Sequence, residues 1–366
     1  MAITGQLTDL RNVPAGAITG AAALSLYSLM HAVVDTCSAA TVLLVVSCDA
    51  VDAGQFVALM VLYHALAFGL QPLVGLAVDA AGGARFAAVA GCLIAAGPLM
   101  IHMPPEMAIA VTGVGNAIFH VGGGVLAMRL TPDRAVAPGV FVATGSLGLL
   151  LGVILGKQGS TAVALLPAIA LVLATVLACV PANVGRPMAI VTKPARRGDL
   201  VLGLILLAIA ARSLLGFVVN FRWETQPVAL LAVAVATFLG KVVGGLAADR
   251  FGWRRVAVGA TLLGWPFLCL ASALPLAAVP GLFLLNMMMP VTLVATARIL
   301  PNKPGFAFGL TCLALLVGAI PSLFGVSVKA PPLVSLVVVI SVASLDVGLQ
   351  HLRPSVRSER AIQVPS

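Results

Sequence analysis

The chain has 366 residues, 61% of them hydrophobic and 9% charged, with a mean hydropathy of +1.13. Soluble domains carry roughly a quarter charged residues, so this composition cannot clothe a water-facing surface, and its apolarity equally excludes a disordered chain. The formal net charge of +9 would suggest nucleic acid for a soluble protein, but in a membrane chain it reads first as a loop-distribution signal, and no nucleic-acid partner is expected.

Apolar runs between charged or Pro/Gly/Asn-rich breaks predict twelve spanning helices. They lie at residues 20–47, 54–78, 86–103, 107–129, 138–157, 161–180, 200–220, 227–248, 256–273, 278–298, 305–326 and 331–350. Each is close to the 20 or so residues that cross a bilayer as a helix. Unbroken runs of this length exclude an outer-membrane barrel, whose strands are shorter and alternate. The segment Met1 to Gly20 has Arg11 as its one basic residue and no cleavable-signal layout, so the first helix is expected to be retained. With the N-terminus inside, Arg85, Arg129, Arg134, Arg250, Arg254, Arg255, Arg298 and Lys303 fall on inside segments with the basic linker and tail. The opposite loops hold Lys157, Arg222 and Lys329. The positive-inside rule then places both termini in the cytoplasm of an inner-membrane protein. The six cysteines form no CxxC pair and read as small core residues.

The chain repeats internally. Gln71 to Ala90 lies over Lys241 to Ala260 without a gap, bringing Gly75 onto Gly245, Asp79 onto Asp249, Gly82 onto Gly252 and Arg85 onto Arg255. At the same offset Asn116 meets Asn286, Gly139 meets Gly309 and Gly148 meets Gly318. A long-period repeat of this kind predicts two pseudo-symmetric six-helix halves, residues 1–180 and 200–366, joined by a cytoplasmic linker over 181–199.

The second copy of the repeated loop, Gly245, Asp249, Arg250, Gly252, Arg254 and Arg255, is similar to the signature loop of the major facilitator superfamily; the first keeps Gly75, Asp79, Gly82 and Arg85. Within that superfamily the first half resembles the fosmidomycin-resistance group of exporters. That resemblance rests on His31 and Asp35 in MHAVVDT, on Gln71-Pro72 leading into Gly75 and Asp79, and on GVGNAIFH from Gly113 to His120. Val121 and Gly122 stand where the group usually carries Pro-Glu. The resemblance implies an all-α membrane fold whose first and fourth helices line a central cavity, and so places His31, Asp35, Asn116 and His120 around one water-filled space. It also implies that the paired loops latch the cytoplasmic side.

Ionisable groups at bilayer depth are costly unless paired or hydrated, so each is a site hypothesis. In chain order, Asp35 follows His31 by one helical turn and Tyr27 by two, so the three share a face. The choice there lies between proton coupling or substrate contact and a structural His31–Asp35 hydrogen bond. Asn116 and His120 share a face of the fourth span. Arg212, mid-span in the seventh helix, keeps its proton and either pairs with Asp35 or meets an anionic substrate. Lys241 is placed to snorkel, His64 reads as a core or rim residue, and Asp346 has no evident partner. Asp79 and Asp249 end spans where a carboxylate can accept from exposed backbone amides and pair with Arg85 or Arg255. Arg134 and Arg254 read as topological charge. Glycines at 145, 148, 152 and 156 let the fifth helix approach a neighbour closely.

These features predict a secondary transporter, not an enzyme: a proton-coupled exporter of a small, possibly anionic compound or drug. The alternatives are an uptake permease for a small anionic metabolite and a non-transporting sensor or assembly factor. The histidines have no HExxH or HxxxH spacing, so no metal site is expected, and without a Walker or GxSxG loop no cofactor is expected. The expected partners are a small solute, protons and lipid, with the protein acting as a monomer.

Overall fold

The computed structural model describes residues 15–48, 51–180, 198–218, 227–326 and 330–352. Residues 181–197 of the linker expected over 181–199, the chain termini, Arg222 and Lys329 lie outside the described residues. Each predicted apolar run falls on helix: α1 (Ala15–Cys48), α4 (Pro105–Leu130), α5 (Val136–Lys157), α7 (Gly198–Val218), α8 (Pro227–Phe251), α9 (Trp253–Leu270), α11 (Pro304–Leu323) and α12 (Pro331–Gln350), with α2 (Ala53–Ala81), α3 (Ala84–Leu99), α6 (Thr161–Cys179) and α10 (Pro275–Ile299). Ten helices among the described residues are long and apolar enough to cross a membrane. α3 falls short in length, and α9, which opens on Arg254 and Arg255, is not among the ten. The molecule is an all-α, multi-pass membrane fold.

Local chemistry sets the ends. Asp52 caps α2 by accepting from the Gln55 amide at 2.8 Å while the Gln55 side chain accepts from the Asp52 amide at 3.2 Å, a reciprocal capping box. α2 stops at Gly82 with φ 65° and α8 stops at Gly252 with φ 97°, a left-handed backbone that only glycine adopts cheaply. The repeated glycine thus supplies a positive φ at both helix ends, although the two turns differ in ψ, 15° at Gly82 and 139° at Gly252. Within α2, a π turn over Ala65–Gly69 offsets the helix face just after His64.

Packing repeats with the sequence. α1 packs on α5, α3 on α4 and α3 on α6; equivalently, α7 packs on α11, α9 on α10 and α9 on α12. Two further contacts cross between the first and last six helices: α2 on α11, and its counterpart α8 on α5. The glycine stripe of α5 faces α1, where a methyl on Gly148 would strike the Ala32 carbonyl and one on Gly156 would approach Leu43 Cβ at 2.8 Å. Large side chains such as Phe86, Leu263 and Leu73 stay exposed on the outside of the bundle, at 78%, 66% and 64%, as a lipid-facing surface requires.

Candidate functional site

A cavity of about 820 Å³ lies between the first and last six helices. Its wall holds His31, Asp35, Asn116, His120 and Arg212, every residue expected to carry substrate or proton, together with Lys241 and Asn286. It extends to Lys157 and Ala229, at the ends of α5 and α8 remote from Asp79 and Asp249.

On the α1–α4 side, one turn of α1 sets His31 under Asp35, with His31 Nε2 3.3 Å from Asp35 Oδ2. From α4, His120 Nε2 lies 3.5 Å from Asp35 Oδ1 and 2.9 Å from His31 Nε2. Asn116 Nδ2 donates to Asp35 Oδ1 at 3.2 Å and to Ser38 Oγ at 3.1 Å. His31 is buried, stacked on Phe141 with ring centroids 4.6 Å apart. Its Nδ1 is 2.7 Å from the Phe141 carbonyl, and His120 Nδ1 is 2.9 Å from that of Asn116. A carbonyl oxygen only accepts, so both Nδ1 atoms carry hydrogen and both Nε2 atoms point at Asp35. His31 and Asp35 do make the expected contact, but as part of this three-residue cluster. The ligand-bearing atoms of His31, Asp35 and His120 all lie within 4.8 Å of one another. No spaced histidine motif in the sequence foreshadows this grouping, because its third member comes from another helix.

The opposite wall is cationic. Arg212 Nη1 donates to Asn286 Oδ1 at 3.1 Å, and among the described residues Arg212 Nε has no partner. Among the described residues no carboxylate reaches Arg212, so the expected pairing with Asp35 is not made: the histidines already hold Asp35, and Arg212 arises from the other half of the chain. Asn116 and Asn286, equivalent in the repeat, hold opposite charges, Asp35 and Arg212. Lys241 does not snorkel. It is 9% exposed and crosses to α5, donating to the Val142 carbonyl at 3.1 Å and to Ser146 Oγ at 2.7 Å. Its alignment with Gln71, which is fully buried outside the cavity, hides this role in the sequence. His64 lines the cavity, with Nδ1 2.7 Å from the Met60 carbonyl. Tyr27 is buried and is not in the lining.

At the end remote from Lys157, the two signature carboxylates cap helix starts across the bundle. Asp79 accepts from the Gly305 and Phe306 amides, both at 2.8 Å. Asp249 accepts from the Ala135 and Val136 amides at 2.7 and 3.0 Å. These amides lack partners within their own helices, and the helix dipole favours a negative charge there. Gly75 and Gly245 make room, since a methyl on Gly245 would meet the Ala135 carbonyl oxygen at 2.7 Å. The expected pairing with Arg85 and Arg255 is not made. The arginine beside Asp249 is Arg134, at 3.5 Å and largely exposed. Arg250 stacks over Phe251 at 5.6 Å, and Arg254 pairs with Asp346 at 2.7 Å, the partner Asp346 lacked in the sequence. Both face away from the cap because a helix presents successive residues on different sides.

No protein-family model matches the chain, and no curated protein does. Solved structures match its fold. A variant of the E. coli fucose:proton symporter FucP superposes with a TM-score of 0.67 at 12% identity, over 93% of this chain and 100% of that one. FucP described as a major facilitator superfamily transporter in the outward conformation gives 0.66 at 12% identity, over 90% and 99%. The chain therefore has the fold of these major facilitator superfamily structures.

Proposed function

We propose that the chain is a secondary transporter working by alternating access, carrying a small anionic solute inward together with a proton. The observation that carries this reading is the central cavity, in which the acceptor cluster His31–Asp35–His120 faces Arg212 and Lys241. Antiport by direct competition has proton and solute exclude each other from one site, whereas symport binds both together. Here the proton acceptors belong to α1 and α4 and the cations to α7 and α8, so both ligands fit at once, as symport requires. The fold shared with a fucose:proton symporter supports the same direction. The first-half resemblance to exporters favours the second reading, proton-driven efflux of a small compound.

In this reading the helices form two six-helix halves, 1–180 and 200–366, linked over 181–199, in a monomer of the inner membrane with cytoplasmic termini. Asp79 and Asp249 latch the inner side, and the cavity opens outward. The test is flux in proteoliposomes holding a pH-sensitive dye, with small carboxylates and inorganic phosphate offered outside. Symport predicts solute-dependent acidification of the lumen. Solute-dependent alkalinisation would establish exchange, and solute flux without proton movement would remove the coupling.

A further inference from the structure

Three acceptors converge where α1, α4 and α5 meet. Both Nδ1–H groups of His31 and His120 are committed to backbone carbonyls, so in the neutral rings the two Nε2 atoms are bare lone pairs, 2.9 Å apart. The Asp35 carboxylate stands 3.3 and 3.5 Å from them. Such a cluster repels itself until a cation lies among its members. In a tetrahedral zinc site with bonds of about 2.0–2.1 Å, neighbouring ligand atoms are about 3.3 Å apart. The two imidazole nitrogens stand closer than that, at 2.9 Å, and each faces its own Asp35 oxygen near that distance, His31 Nε2 at 3.3 Å from Oδ2 and His120 Nε2 at 3.5 Å from Oδ1; taken as one ligand atom per residue, the set lies within 4.8 Å.

The surroundings are those of a built site. Ligating imidazoles are generally oriented by a carbonyl or carboxylate on the remote nitrogen, and both rings have one. Stacking on Phe141 fixes the His31 ring, and Asn116, anchored on Ser38, holds Asp35. Gly145 keeps the space clear, since a methyl there would overlap Asp35 Oδ2 and come within 2.6 Å of His31 Nε2. All three candidate ligands line the cavity, which leaves the remaining coordination position to water or solute. Two imidazoles and one carboxylate suit the zinc class of divalent transition ions, whereas magnesium and calcium prefer an all-oxygen set.

We propose that His31, Asp35 and His120 form a divalent transition-metal site, one per chain, open to the central cavity. This rests on the reading of that cavity only in sharing its residues, and its test is binding, not transport. A proton shared between the imidazoles would also relieve the repulsion, and the experiment separates the two. Tag-free full-length protein in detergent is titrated with Co²⁺ and followed by its visible d–d bands, then back-titrated with Zn²⁺. The site predicts one Co²⁺ per chain with the intense bands of low coordination number, displaced by Zn²⁺. Asp35→Asn and His120→Gln should each weaken binding at least tenfold, and His102→Gln, on an exposed loop, should leave it unchanged. Melting curves confirm that each variant is folded; should one fail, the other carries the comparison. Absent bands, or bands that persist in both triad variants, overturn the site. Proton-coupled flux without Co²⁺ binding removes the metal and leaves the transport reading. Stoichiometric binding without flux does the reverse.

Discussion

Asp79 and Asp249 are related by the internal repeat, and each caps the helix whose equivalent the other caps. Asp79 takes the amides of residues 305 and 306, and Asp249 those of residues 135 and 136. Both contacts run between the first and last six helices, so the pair acts as a two-sided clasp.

The clasp gives the first prediction. Hydrogen bonds to a charged group contribute about 1.5–3 kcal/mol each, and Asp249→Asn removes the charge and one of two acceptors. The population should shift at least tenfold toward forms open at this end. Asp79→Asn should do the same and the double variant more. Spin-label distances between the start of α5 and the end of α8 measure it; unchanged distributions would reduce the carboxylates to static caps.

Asp35→Asn should abolish flux driven by a pH gradient while solute exchange at equal pH persists, because the cluster loses its only carboxylate and Arg212 remains in place. Loss of both activities would make Asp35 a solute ligand. Retention of both would remove it from the mechanism.

Among the described residues Arg212 makes a single hydrogen bond, through Nη1, and leaves Nε unpaired. Arg212→Ala should weaken an anionic ligand by about 2 kcal/mol or more, roughly 30-fold, with little effect on neutral analogues. Ligand-induced shifts in melting temperature across a matched anionic and neutral series read this out, and equal losses for both would mean packing.

Gly145→Ala places a methyl against Asp35 and His31. Overpacking of this kind costs about 1–3 kcal/mol, so the variant should melt several degrees lower and lose pH-driven flux. Gly203→Ala, with nothing within 4 Å of the added methyl, is the control and should match the parent.

Arg254 pairs with Asp346 at the surface, apart from the clasp. Arg254→Ala should leave solute flux and the spin-label distances unchanged, although Arg254 belongs to the signature loop. A shift like that of Asp249→Asn would bring it into the gate.

The sequence by itself determined the membrane class, the helical runs and the repeat, because these follow from local apolarity and from residues compared at a fixed offset. It also singled out His31, Asp35, Asn116, His120 and Arg212, since charge and polarity at bilayer depth are costly wherever the neighbours lie. Only the tertiary structure decided the partners. Asp35 meets two histidines and not Arg212, Lys241 turns inward to Ser146, the signature carboxylates take backbone amides in place of Arg85 and Arg255, and Asp346 finds Arg254. The physical reason is the same in each case: a side chain's partner is set by which helices pack together and at what height. Chain spacing that reveals a motif such as HExxH carries no trace of a site whose ligands come from two helices.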